Sequence, residues 1–209
     1  DRTKSRGLGD VYKRQDYCRE QNIAVTNVQG YATQSVPEHV IGIIFALKRN
    51  LMGYHNDIAK GEWQRNKQFC FFTHPIGDVA GSTLGVVGSG ALGQATAALA
   101  KAIGMQVIYA EHKGAHHCRK GYLPFEQVLM MADVLTLHCP LNERTHHLIG
   151  RHELAQMKPG SVLINTGRGG LVDEAALVEA LKRGTIAGAG VDVFSLSLIH
   201  ISEPTRLRT

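Results

Sequence analysis

The sequence predicts an α/β fold, a doubly wound parallel sheet, on three observations. A short apolar run at 84–87 ends in Gly88-Ser-Gly90-Ala91-Leu92-Gly93 and leads into a helix of small residues over 95–102. Further strand-like runs at 106–111, 134–137, 161–165 and 187–194 alternate with helical stretches, at spacings that suit parallel strands joined by crossover helices. These runs exit through an acid, a His-Cys-Pro turn or a glycine-rich loop, at the edge where open parallel sheets gather ligands.

The glycine turn is the most informative stretch. Gly88 permits a tight turn, Gly90 leaves bare backbone for a pyrophosphate, and Gly93 lets the helix lie close on the strand. The first-turn N–H groups and the helix dipole then face the phosphates. A lone GxGxxG is weak, because glycine-rich turns also arise for steric reasons, so the surrounding strands carry the inference.

Taken in order, residues 23–27 read as a short strand and 28–31 as a turn. Ser35-Val-Pro-Glu38 is a capping box with proline in the first turn. Behind it Val36, Val40, Ile43, Ile44, Leu47, Leu51, Tyr54 and Ile58 recur at helical spacing, predicting one long amphipathic helix for the core or a dimer face. Residues 61–80 read as irregular. Their Cys70 and His74 lack a second ligand pair and are assigned no chemistry.

The run 106–111 ends in Glu111, 18 residues beyond Gly93, where a dinucleotide-binding unit places the acid that meets the adenosine ribose. Such an acid repels a 2′-phosphate and favours NAD over NADP, although Lys113 and Arg119 nearby weaken that preference; the alternative is a solvent-exposed glutamate at a strand end. His112, His116, His117 and Cys118 lie in a loop without an ordered ligand framework and read as solvated. A helix at 124–131 precedes the strand 134–137, which exits through His138-Cys139-Pro140. A helix at 151–157 precedes the strand 161–165, which exits through Thr166-Gly167-Arg168. Asp173 then caps a helix over 174–183 with Leu177 and Leu181 inward.

Composition narrows the partners. The net charge is +5, but residues 1–15 contribute +3 and 195–209 contribute +1, leaving +1 for 16–194, so a basic nucleic-acid groove is not expected. No apolar run reaches the length of a membrane span and no secretory signal is present, which leads to the expectation of a soluble, cytoplasmic protein without a membrane partner. The four cysteines show no paired spacing and read as reduced thiols. Residues 1–15 and 195–209 have neither helical nor strand periodicity and read as non-native flanks, the alternative being ordinary disordered tails.

At the sheet edge Arg168 has the fork geometry to hold a carboxylate or 2-oxo acid; the alternative is a loop arginine paired with Asp173 or Glu174. Asp192 either accepts from a nicotinamide carboxamide or caps the following loop.

Asn27-Val-Gln-Gly-Tyr31, Ser35-Val-Pro-Glu-His39, the glycine turn, His138-Cys-Pro-Leu141, Met157-Lys-Pro-Gly160, residues 165–174 (NTGRGGLVDE) and Gly190-Val-Asp-Val-Phe194 together resemble the D-isomer-specific 2-hydroxyacid dehydrogenases. Tyr109-Ala-Glu-His-Lys-Gly114 and Leu137-His-Cys-Pro140 are most similar to the glycerate dehydrogenase (hydroxypyruvate reductase) branch. The resemblance implies a homodimer with a catalytic domain and a Rossmann NAD domain. It divides the chain into a remnant of the catalytic domain at 16–34 and the NAD domain with its leading helix at 35–194. It implies that Ala91 and Leu92 flank the pyrophosphate between Gly88, Gly90 and Gly93, and that Glu111 meets the ribose. Cys139, Pro140, Thr166, Gly167 and Asp192 line the nicotinamide half, and Arg168 is the catalytic arginine that also borders the cofactor.

The implied reaction interconverts a small D-2-hydroxy acid and its 2-oxo acid with NAD, glycerate and hydroxypyruvate being favoured over phosphoglycerate, lactate or glyoxylate. A histidine made basic by a glutamate serves as the acid. The resemblance places that glutamate at Ser197, and His200 stands in the wrong context for the histidine. The chain as written is therefore expected to bind NAD weakly or not at all and not to turn over. A nucleotide-sensing interaction protein on the same fold is the second reading, and a Rossmann domain for another nucleotide the third.

Overall fold

The computed structural model describes residues 15–24 and 30–195. The chain forms two compact units, Asp1–Tyr31 and Ala32–Thr209. Within the first, helix α1 (Gln15–Glu20) closes with the Ile23 N–H donating to Cys18 O at 2.8 Å. The strand expected over 23–27 lies largely outside the described residues, as do Ser197 and His200.

The second unit contains a six-stranded, all-parallel sheet: β1 (Thr83–Val87), β2 (Gln106–Ala110), β3 (Tyr122–Leu123), β4 (Val134–Leu137), β5 (Val162–Asn165) and β6 (Gly188–Val191). Their spatial order is β3-β2-β1-β4-β5-β6, the doubly wound arrangement with its switch point between β1 and β4. Side chains alternate across the sheet, because successive strand residues face opposite ways. Leu84, Val86, Val134, Val162 and Ile164 enter one core with Val40, Ile44, Ala97 and Ala100, on the face covered by α2 (Ser35–Lys48) and α5 (Ala91–Ala102). Val87, Leu135, Leu137 and Leu163 enter the other with Phe125, Leu129, Leu154 and Leu177 from α6 (Phe125–Met131), α7 (Arg151–Gln156) and α8 (Glu174–Arg183). Burial on both faces explains why the strands read as continuous apolar runs.

Four expectations are corrected. The long helix over 35–58 is broken: α2 stops at Lys48, Asn50 adopts a left-handed φ of 51°, and α3 (Leu51–Ala59) begins anew. The Gly77 N–H donates to Lys48 O at 2.8 Å, satisfying a carbonyl that another helical turn would have used, and asparagine tolerates the left-handed region. Beyond the break Leu51 and Ile58 are exposed. Ser35 forms no capping box; Gln34 is the cap residue, and the first-turn N–H groups of Val36 and Glu38 bond the carbonyls of Ala32 and Gln34 instead. Residues 61–80 contain a short helix, α4 (Glu62–Asn66), whose Trp63 packs edge-on against Phe71 at 5.8 Å. Leu181 is exposed, while Leu177 is buried as expected and Asp173 does cap α8 by accepting from Ala176 N–H.

Candidate active site

Register places the site. Val87 pairs with Ala110 and with Leu137, Leu137 with Asn165, and Asn165 with Val191. The next residue on each strand, Glu111, Gly88, His138, Thr166 and Asp192, therefore stands in one row along the carboxyl edge, about 4.8 Å from strand to strand. Residues separated by a hundred positions in sequence become neighbours through hydrogen-bond register alone.

A cavity of about 570 Å³ opens along part of this row, at the switch point. Gly88, Ser89 and Gly90 form one wall, Glu111, His112, Lys113 and Arg119 another, and His138, Cys139 and Pro140 a third. Gly88 has φ +95°, and a Cβ there would lie 2.6 Å from Cys139 N. A Cβ on Gly93 would lie 2.0 Å from the Gly88 carbonyl oxygen, so a glycine alone allows the helix this close to the strand. Gly90 has nothing within 4 Å of where its Cβ would be, which leaves its backbone open to the cavity. Ala91, Leu92 and Gly93 occupy the first turn of α5, ahead of the first helical bond that we find from Gln94 N–H to Gly90 O at 2.9 Å. Bare backbone beside a helix N-terminus fits a pyrophosphate.

The remaining predicted residues lie along the edge beyond the cavity walls. Thr166, after β5, holds its Oγ1 out of solvent with no hydrogen-bond partner, an unsatisfied group on the side predicted to receive the nicotinamide. Arg168 is exposed and donates from Nη1 to Gly167 O at 2.7 Å. It makes no ion pair among the described residues: Asp173 caps α8, and Glu174 accepts from Ser195 N–H. Asp192 donates its backbone N–H to Asn165 O at 3.1 Å, and its carboxylate, 57% exposed, lies 3.8 Å from His39 Nε2.

Glu111 is not the solvent-exposed glutamate of the alternative reading. It is 4% exposed rather than solvated, and its carboxylate is fully engaged within the chain. Oε1 accepts from His112 N–H at 2.9 Å and Arg119 Nη2 at 2.8 Å; Oε2 accepts from Arg119 N–H at 3.0 Å and Arg119 Nε at 2.8 Å. The Arg119 side chain and backbone hold the carboxyl at about 2, with help from the His112 N–H.

Several site residues carry no sequence signal of their own. Asn165 is 1% exposed; its Nδ2 donates to Arg168 O at 2.9 Å and its Oδ1 accepts from Gly167 N–H at 3.1 Å, fixing the loop that presents Arg168. The one hint is a polar residue closing an otherwise apolar strand. Thr145 Oγ1 donates to Pro140 O at 2.6 Å and braces the exit from β4.

Burial pushes the His138 imidazole down to about 4 from its ordinary 6.5, so it is neutral at the cavity wall at pH 7, 3.0 Å from Thr136 Oγ1. Between pH 6.5 and 4 the unfolded chain binds a proton that the folded chain refuses, so stability falls as pH falls through that window. The expected loss from this residue is up to about 3 kcal/mol. Urea midpoints measured across that range should drop for the parent chain and drop less for His138→Asn.

The site sits on a recognised scaffold. The sequence profile of the D-isomer specific 2-hydroxyacid dehydrogenase NAD binding domain matches residues 41–205. A Haemophilus influenzae protein named as a 2-hydroxyacid dehydrogenase is 57% identical over 176 residues, 84% of this chain and 56% of that protein. The glycerate dehydrogenase of Methylorubrum extorquens is 49% identical over 176 residues, 84% of this chain and 55% of that enzyme. The crystal structure of an Aquifex aeolicus D-lactate dehydrogenase complexed with NAD and lactic acid superposes with a TM-score of 0.74 at 33% identity, over 90% of this chain and 56% of that one. The chain thus spans about half the length of the relatives it matches. With its strand order, its glycine turn and its row of strand-end residues accounted for, the chain belongs to the D-isomer specific 2-hydroxyacid dehydrogenases, as their NAD-binding domain.

Proposed function

We propose that this chain is the cofactor half of a cytoplasmic, homodimeric dehydrogenase that interconverts D-glycerate and hydroxypyruvate with NAD. The observation that carries the reading is the row at the carboxyl edge, where a bare glycine turn and an unsatisfied Thr166 hydroxyl stand in register with the exits leading to Cys139, Arg168 and Asp192. The 49% identity to a glycerate dehydrogenase supports that substrate over other 2-hydroxy acids. No helix among the described residues is long and apolar enough to cross a membrane.

Gly88, Gly90 and the first-turn N–H groups of Ala91, Leu92 and Gly93 hold the pyrophosphate. Cys139, Pro140, Thr166, Gly167 and Asp192 would line the nicotinamide when it is bound, with the Asp192 carboxylate offering an acceptor to its carboxamide. When bound, the cofactor takes or gives the hydride at the carbon bearing the hydroxyl or oxo group. Arg168 grips the substrate carboxylate with its fork and orients that carbon. The half-buried Cys139 thiol has its pKa raised by desolvation and stays neutral, and the His138 imidazole is uncharged, so neither adds charge beside the reacting centre. Because the crevice from β2 to β4 is whole, the chain binds NADH despite the expectation of weak binding, but it does not turn over without a partner acid.

Calorimetric titration of the 209-residue chain with NADH should give a saturable isotherm. Mixed with hydroxypyruvate and NADH, the chain should show no absorbance loss above a no-enzyme control. Grafted in place of the corresponding domain of the M. extorquens glycerate dehydrogenase, residues 32–194 should restore hydroxypyruvate-dependent NADH oxidation. An absent isotherm sinks the cofactor assignment, and a folded but inactive graft sinks the substrate assignment.

A further inference from the structure

The adenosine end of the cavity holds a group that the proposed function does not use. Arg119 is 53% exposed on its side chain, lines the cavity, and carries its guanidinium carbon 3.9 Å over the Tyr122 ring. Tyr122 is in turn anchored to the glycine turn, its hydroxyl 2.5 Å from Ser89 Oγ. Stack, ion pair and hydroxyl contact therefore fix the guanidinium relative to the turn that would hold the pyrophosphate.

Donor and acceptor counting decides what such an end can read. A carboxylate has about four lone-pair sites, and Glu111 spends all of them on His112 N–H, Arg119 N–H, Arg119 Nε and Arg119 Nη2. No site is left for a ribose hydroxyl unless Arg119 is displaced. A guanidinium has five N–H donors, of which Glu111 takes two, so about three remain on an exposed, immobilised group. The neighbouring Lys113 ammonium is already spent on Glu153 of α7, its Nζ 2.8 Å from Oε1, so the free donors at this end are those of Arg119. The end is thus short of acceptors and rich in donors. Glu111 no longer repels a phosphate, because its charge is matched by Arg119 at hydrogen-bond distance.

We propose that Arg119, rather than Glu111, reads the adenosine ribose, and that the site accepts a dinucleotide phosphorylated at the 2′ position as well as NAD. Glu111 and Tyr122 are positioning residues that aim the guanidinium. The proposal rests on the cofactor reading above and departs from the NAD preference that an acid at this strand end predicts.

Calorimetry with NADH, NADPH, 5′-AMP and adenosine 2′,5′-bisphosphate on the 209-residue chain tests it. NADPH should bind within about threefold of NADH, and the bisphosphate at least about tenfold tighter than 5′-AMP, the increment expected of a charge-assisted phosphate contact. Arg119→Ala should weaken both cofactors, and NADPH by at least about tenfold more than NADH, because NADH loses only the ribose contact while NADPH also loses the contact to its 2′-phosphate. Because that change strands a buried carboxylate, Arg119→Ala paired with Glu111→Gln, and Arg119→Lys, repeat the test in better-compensated settings; lysine should recover part of the NADPH affinity. NADH binding with NADPH about a hundredfold weaker overturns this proposal alone. Equal weakening of both cofactors by Arg119→Ala and by the double variant makes Arg119 merely structural and also overturns it. If neither cofactor binds, the cofactor reading falls with it.

Discussion

Gly90→Val leaves the domain folded and raises the dissociation constant for NADH by about a hundredfold or more, a loss of about 3 kcal/mol. Gly90 has φ −67° and ψ −173°, extended backbone that any residue adopts, and no atom lies within 4 Å of the position a Cβ would take. Valine therefore costs little in the free protein, about 0.5–1 kcal/mol for the poorer helix cap. Its methyl groups instead fill the space that a pyrophosphate needs against the first turn of α5. The neighbouring Gly93→Ala separates fold from function in the opposite way. Its Cβ would stand 2.0 Å from Gly88 O, so α5 must move off β1 at a cost of about 3 kcal/mol. For a domain of this size that lowers the melting temperature by about 6–12 °C. Thermal melts and NADH calorimetry on both variants check the pair. Parent-like NADH binding by Gly90→Val would show that the turn is glycine-rich for packing only.

Arg168→Ala, made in the grafted glycerate dehydrogenase, lowers kcat/KM for hydroxypyruvate by about 10²–10³-fold, the 3–4 kcal/mol of a fork-to-carboxylate contact. The side chain is exposed, and no ion pair among the described residues depends on it, so NADH affinity and the melting temperature stay near the parent's. Arg168→Lys keeps the charge but loses the planar fork and recovers only part of the rate. Asn165→Ala provides the positioning control. It removes the amide that holds Arg168 O and Gly167 N–H, so it raises KM by loosening the loop that presents the guanidinium while the arginine itself is retained. An Arg168→Ala graft with unchanged kcat/KM would remove the arginine from the substrate site.

Periodicity and punctuation made much of the architecture legible. Runs such as 134–137 and 161–165 are apolar on both faces because the sheet is covered on both, and the glycine turn marks its own strand and helix. What periodicity could not report was interruption and pairing at the margins. The break at Asn50 depends on Gly77 reaching Lys48 O, a contact across 29 positions that leaves the apolar spacing of the helix undisturbed. The edge strand Tyr122–Leu123 is two residues long, too short for any alternation to show.

For the site the division is sharper. The residue types and their order along the chain were enough to nominate Gly88, Gly90, Gly93, Glu111, Arg168 and Asp192, since each chemistry requires its own functional group at a strand exit, while Cys139 came only from the family resemblance. The tertiary structure decided how those groups are spent. Register aligned the exits of β1, β4, β5 and β6 in one row, left Thr166 Oγ1 unpartnered, and turned Arg119 onto Glu111 with four hydrogen bonds to that carboxylate in all. A sequence specifies which donors and acceptors exist; only the folded distances determine which of them have already satisfied one another and which remain for a ligand.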